Sequence, residues 1–282
     1  MRKLLSANFR RLWRSKILWL IVLGVALFSL YIAYKGGDFA RSRIERGVPA
    51  DLELFYFQFV PFTGILYGLL IRLFSDPEHH EGTLRNKLIV GHSRRDIFLS
   101  NYIVNFTGCC IVLTAFFLFG LLELYSIGPF AMGTEQLLFY YLIAFGMTAS
   151  FAAIYTWITT ASTNPTLTAL YVGLVWAAMI LLASGLYDRL SELEMTGGAS
   201  GFVMAFVDGE FVEMPSEPNP RYLSGWVRTM CEVVLDALPT GQGILMSEVE
   251  IAHPIRELVS SLVITTVALA GGVFHFNRKE LK

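Results

Sequence analysis

The sequence predicts an all-α polytopic membrane fold: six transmembrane helices, an interfacial amphipathic helix at the amino end and a small extracellular helical and hairpin segment. Three observations carry that prediction. Six long apolar stretches, at 17–34, 54–74, 97–125, 137–160, 167–187 and 258–276, are separated by short polar ones. Mean hydropathy is +0.54, with 16% charged residues, where a soluble domain carries roughly 25%. Lys and Arg also crowd into alternate connections between the stretches.

A hydrocarbon core is roughly 30 Å thick and takes about 20 helical residues to cross. Each stretch is near that length or longer. In lipid every backbone N–H and C=O needs an internal partner, so such runs are helices. Residues 1–282 therefore read as one transmembrane domain, with no room for a globular soluble domain of usual size.

Residues 1–16 read as an amphipathic helix in the headgroup layer. Leu4, Leu5, Phe9, Leu12 and Trp13 recur at helical spacing, with basic residues on the other faces towards anionic lipid. The apolar run that follows exceeds the roughly 7–15 residues of a secretory signal core, and no convincing cleavage site follows it, so it reads as an uncleaved first span. Fourteen of the 22 Lys and Arg lie before span one, around the loop after span two and at the carboxyl end. By the positive-inside rule both termini face the cytoplasm. Lys35, Arg41, Arg43 and Arg46 in the first outer loop run against that rule locally.

The loop 75–96 is the most informative soluble part. Ser75 or Asp76 is placed to cap a helix with Pro77 in its first turn. Leu84, Leu88 and Ile89 then share one face of a short amphipathic helix, with Arg85, Asn86 and Lys87 elsewhere. Gly91 suits its stop and Ser93 the cap of span three. The turn 162–165, with Asn164 before Pro165, is a tight cytoplasmic connection.

The outer segment 188–256 is acidic. Strands 202–207 and 210–214 flank Asp208 and Gly209, a hairpin signature. From 222 to 238 an amphipathic helix is expected to pack across the outer mouth of the bundle through Leu223, Trp226, Val227, Met230, Val233, Val234 and Leu238. Residues 239–243 are expected to end it in a turn.

The chain has no Gly-x-x-x-x-Gly-Lys-[Ser/Thr] loop to cradle phosphates, no His-Glu-x-x-His and no paired-cysteine zinc spacing. His79 and His80 beside Glu78 and Glu81 read as a solvated turn rather than a metal site. Cys109, Cys110 and Cys231 form no disulfide framework. Arg72, Glu123, Glu257 and His275 sit near span ends, where side chains snorkel. Gln58, Thr63, Asn101 and Asn105 are the candidate polar lining of a pathway; with Thr107 and Thr114, their bland reading is interhelical hydrogen bonding. No midplane carboxylate suited to an ion-driven carrier is visible, so the driving energy is expected to come from another polypeptide.

The stretch from Glu81 to Arg94 resembles the cytoplasmic coupling segment of the ABC type-2 permease family. Residues 222–225 and 238–243 resemble that family's outer helical segment, and 276–282 its basic carboxyl end. The resemblance implies two six-helix permease copies, expected here to be identical, paired with two ATP-binding cassette subunits in a bacterial cytoplasmic membrane. ATP and Mg²⁺ would sit on the partner, with no cofactor on this chain, no enzyme activity of its own and no nucleic acid among its partners. It further implies that Glu81, Gly82, Thr83, Leu84, Arg85, Asn86, Lys87, Arg94 and Arg95 contact the ATPase subunit, with Ser162, Thr163 and Asn164 as a smaller second contact. The expected activity is export of an amphipathic or apolar cargo, a toxin or antimicrobial peptide ahead of a lipid-like molecule. A peptide-binding membrane sensor or immunity protein is the alternative.

Overall fold

The computed structural model describes residues 1–47, 51–80, 83–124, 128, 130–162, 164–196, 204–207, 210–213 and 217–279. Among these residues it is almost wholly helical, and six helical segments are long and apolar enough to cross a membrane. In chain order they are α2 (Lys16–Glu45), the broken second span, α6 (Arg94–Leu124), α7 (Thr134–Ala161), α8 (Pro165–Leu190) and α11 (Pro254–Arg278). The short α1 (Arg2–Arg14) precedes them. More than half of the second and third spans is buried inside the protein, against 11% of the fifth. The broken span, α6 and α7 thus form the centre, and α2, α8 and α11 surround it.

Span one extends well past its apolar run. At 30 residues and 1.5 Å per residue, α2 is about 45 Å long, so Lys35, Arg41 and Arg43 are helical and do not belong to an outer loop. Packing explains the extension. Gly36 lets α3 (Leu52–Phe57) approach so closely that a Cβ would stand 2.6 Å from Phe55 Cγ. Ala33 and Ala40 are buried on the same face, and Phe39 meets Phe55 edge-on at 5.7 Å.

Span two is broken. After α3 comes a 3₁₀ turn at Val60–Phe62, then α4 (Thr63–His80). Pro61 supplies no N–H at this point, and the Thr63 hydroxyl donates to the Val60 carbonyl at 2.7 Å. At its far end α4 runs through Ser75, Asp76 and Pro77, so neither Ser75 nor Asp76 starts a new helix. Phe74 is buried under the Arg11 guanidinium, 4.1 Å from its ring centre. Arg72 Nε donates to the Pro165 carbonyl at 3.0 Å. These ties carry the helix beyond its apolar run.

Two small antiparallel ribbons follow α8. β1 (Met195–Thr196) pairs with β4 (Glu217–Pro218), and β2 (Met204–Val207) pairs with β3 (Glu210–Glu213), with Val207 opposite Glu210. That register is the expected hairpin; Asp208, Gly209 and Met214 lie outside the described residues. Helix α9 (Gly225–Ala237) begins later than its apolar periodicity, where Gly225 adopts φ +60°. Its orientation also corrects the expectation. Trp226, Val227, Met230, Val233 and Val234 are exposed, while Leu235 and Asp236 are buried. The inward face is chosen by Asp236, which pairs with Arg256 at the start of α11.

Residues 239–243 are not a terminating turn. They open a second helix, α10 (Pro239–Ser247), with Pro239 in its first turn and every residue from Pro239 to Met246 buried. Gly243 packs on the backbone of the break in span two: a Cβ there would stand 2.8 Å from Pro61 Cα. Gly243→Ala must therefore displace backbone, and is expected to lower stability by roughly 1–3 kcal/mol. Gly173→Ala on α8, where a Cβ meets nothing within 4 Å, is expected to be neutral or to stabilise by up to about 1 kcal/mol. Thermal unfolding in detergent compares the two.

Candidate functional site

Three parts of the bundle gather the polar and apolar features on which function can rest. The first surrounds α5 (Thr83–Ile89), the short helix between spans two and three. Its end is a Schellman cap: His92 N donates to Lys87 O at 3.1 Å, Gly91 N to Leu88 O at 2.9 Å, and Gly91 adopts φ +93°. Ser93 Oγ accepts from Asp96 N at 3.0 Å and caps α6. Leu88 packs beside a buried cluster of Leu4, Ile97, Phe98 and Phe276, drawn from α1, α6 and α11.

Polar ties fix the same plate. Asn8 is buried and donates to Ser100 Oγ at 3.1 Å and Asn101 Oδ1 at 3.0 Å, while Lys87 Nζ donates to Asn8 Oδ1 at 3.4 Å. Arg94 Nη1 donates to the Phe276 carbonyl at 2.8 Å and to the Lys279 carbonyl. The first is among the last carbonyls of α11, which lack helical donors, and the second belongs to the residue that caps the helix. Lys279 Nζ in turn donates to Thr160 O at 2.7 Å. Beyond this plate Ile89 and Val90 are 73% and 76% exposed, with Asn86 and Arg95 also exposed.

The second part is an apolar cavity of about 480 Å³ between α2, the broken span and α6. Phe28, Phe59, Phe62 and Phe116 line it, with Phe28 and Phe59 edge-on at 4.9 Å. Thr63 reaches it too, but its hydroxyl proton is directed at Val60.

The third part lies where α9 and α10 meet α11. Asp236 pairs with Arg256. Burial pushes the Asp236 carboxyl above its ordinary range, and Arg256 pulls it back. Gln242 is fully buried; it donates to the carbonyls of Asp236 at 2.9 Å and Glu257 at 3.0 Å, and accepts from Ser261 Oγ at 2.9 Å. Ser150 on α7 donates to Ser261 O at 3.0 Å and extends the line. Glu257 does not snorkel. It is 0% exposed, and neither carboxyl oxygen has a hydrogen-bond partner among the described residues. Gln242 of α10 holds its backbone carbonyl, and the Asp236–Arg256 pair lies beside it. Glu53 is also buried, where Oε1 accepts from Met132 N at 2.6 Å.

The family described as ABC-2 family transporter protein matches residues 4–181. The chain belongs to this family. It is a multi-pass membrane permease of an ABC transporter, and membership brings an ATP-binding cassette subunit as its partner. No curated protein shows a significant match to the sequence. The matched region of the ABC-2 permease ends within α8, so the outer segment and last span lie beyond it.

Within this permease the expected ATPase-contact residues divide. Asn86 and Arg95 point outward, whereas Lys87 and Arg94 turn inward to Asn8 and to the end of α11. Glu81, Gly82 and Thr163 lie outside the described residues, as do the side chains of Thr83, Leu84, Arg85 and Glu123. Asn164 caps α8, accepting from Thr166 N at 2.9 Å and Leu167 N at 3.3 Å, and Ser162 Oγ donates to Asn164 O at 3.3 Å. Gln58 is exposed at the break; Asn105 donates to Thr156 Oγ1 at 2.9 Å, and Asn101 is taken up by Asn8. With Thr63 at the apolar cavity, the four residues of the expected lining therefore do not converge on one surface. Leu88 and Ile89, expected on one face, separate: Leu88 packs inward and Ile89 is exposed, and Val90 was not singled out. Two β-branched residues just before a helix-stopping glycine were the available signal.

Removing one member of the outer ion pair leaves the other buried without compensation. Arg256→Ala is therefore expected to lower stability by roughly 2–3 kcal/mol, somewhat less than a fully buried pair would lose, because Arg256 is partly exposed. Asp236→Asn combined with Arg256→Gln should recover most of the loss in the same unfolding measurement.

Proposed function

We propose that this permease is the membrane half of an ATP-driven exporter, working as two identical copies, for an amphipathic or apolar cargo, with a peptide favoured over a lipid-like molecule. The observation that carries this reading is α5, held on its inner side by Leu88, with Ile89 at its end, Val90 just after it and Arg95 at the start of α6 all exposed. An apolar ridge with a cation beside it offers both grip and steering to a partner groove. ATP and Mg²⁺ belong to that partner, since this chain has no phosphate-cradling loop. Work delivered to α5 reaches α1, α6 and α11 together through the plate described above. The phenylalanine-lined cavity supports an apolar or amphipathic cargo. Exposed leucines on α2 and α8 offer area for a second copy.

The sensor reading draws on one feature, a pocket of about 210 Å³ in the outer segment lined by Arg228, Glu232, Asp236, Glu250, His253 and Arg256. Vesicle assays separate the two, because a sensor binds peptide without ATP-dependent accumulation. For the exporter, Ile89→Asp with Val90→Asp removes two exposed anchors without touching the core. Each buried anchor in an interface is worth on the order of 2 kcal/mol, so affinity for the ATP-binding subunit should fall by well over about tenfold. Co-purification and ATPase assays measure this at unchanged thermal stability; unaltered association and coupling would overturn α5 as the docking element.

A further inference from the structure

We propose that the cleft between α1 and α4 is a specific binding site for one anionic phospholipid. The cleft, of about 410 Å³, has Arg10, Arg11 and Arg14 on its α1 wall and an apolar wall of Leu73 and Phe74 from α4, with Ile17 of α2 also lining it. None of its described lining residues is acidic. A phosphate diester needs the first wall, and an acyl chain needs the second. Free inorganic phosphate would leave the apolar wall uncovered.

The depth is right for a headgroup. Trp13 and Trp19 stand beside the cleft with ring centres 6.1 Å apart, and Trp19 Nε1 donates to Trp13 O at 2.9 Å. Both rings are about half exposed, as suits an aromatic pair at the membrane–water boundary. The cleft is also held open in a fixed shape. Asn8 and Leu12 bind α1 to the bundle, and Arg11 lies flat on Phe74 at 4.1 Å. Arg10 and Arg14 remain exposed at the rim. Three arginines gathered around one cleft, on a helix anchored through Asn8 and Leu12, distinguish this site from a diffuse basic surface, because a guanidinium pairs with a phosphate in bidentate geometry.

Native mass spectrometry of the full chain, purified with its partner from membranes holding both phosphatidylglycerol and phosphatidylcholine, tests this. One phosphatidylglycerol is expected to stay bound per chain, in preference to phosphatidylcholine. Arg10→Gln with Arg14→Gln should cut its retention on the order of tenfold or more, since each basic residue near an anionic lipid surface contributes about fivefold to binding. Arg41→Gln with Arg43→Gln, the same charge loss at the other end of α2, should retain it. Arg11 is left in place because it packs on Phe74. Equal retention of both lipids, or equal loss in the two double variants, overturns the proposal. Quenching of Trp13 and Trp19 fluorescence by brominated phosphatidylglycerol, stronger than by brominated phosphatidylcholine, provides the second readout; equal quenching counts against the site.

Discussion

A chain that crosses lipid must pair each backbone N–H and C=O within the protein, and the break in span two shows how the rest of this bundle is arranged around that demand. Between α3 and α4 the helical ladder is interrupted at a proline. The interruption is not left facing lipid alone. Thr63 supplies a hydroxyl to the Val60 carbonyl, and α10 lies against the turn through Gly243. The outer segment is therefore part of the membrane core's own hydrogen-bond and packing scheme. Its most buried helix, α10, completes the second span.

The same demand explains the opposite end. The last carbonyls of α11 lack donors from their own helix, and Arg94 supplies them from the start of α6. Lys279 does the same for Thr160 at the end of α7. With Asn8 joining α1 to α6, and Leu88 joining α5 to all of them, one set of capping interactions becomes a mechanical plate. A force applied at α5 is shared by three helices at once. Interfaces and packed cores rearrange between discrete states rather than bending continuously, so such a plate suits a permease that must switch its bundle as a unit.

Much of the architecture was legible from residues alone. Span number, the interfacial first helix, the stop at Gly91, the caps at Ser93 and Asn164 and the hairpin register are all local or compositional properties. They depend on hydropathy, on the φ that only glycine adopts readily, or on side-chain oxygens near their own backbone. The site was less legible. Ile89 and Leu88 look equivalent in sequence, yet Leu88 is packed inward and Ile89 is exposed. Lys87 and Arg94 look like partner contacts, yet each is engaged within the chain. Glu257 looked able to reach water, yet it is fully buried in the fold, with its carbonyl held by Gln242 of α10, a segment expected as a turn.

What the sequence by itself determined is the number and placing of the membrane crossings, because crossing length and backbone pairing are properties of each segment alone. Only the tertiary structure decided which face of each segment is inside. In lipid an apolar side chain gains little by facing the protein instead of the acyl chains, so an apolar stripe does not mark the inner face. On α9 that stripe is exposed, and the inward face is set by Asp236 and its pairing with Arg256, twenty residues away in the chain. Polar pairs and small residues such as Gly36 and Gly243 orient these helices, and their partners become known only when the chain is folded.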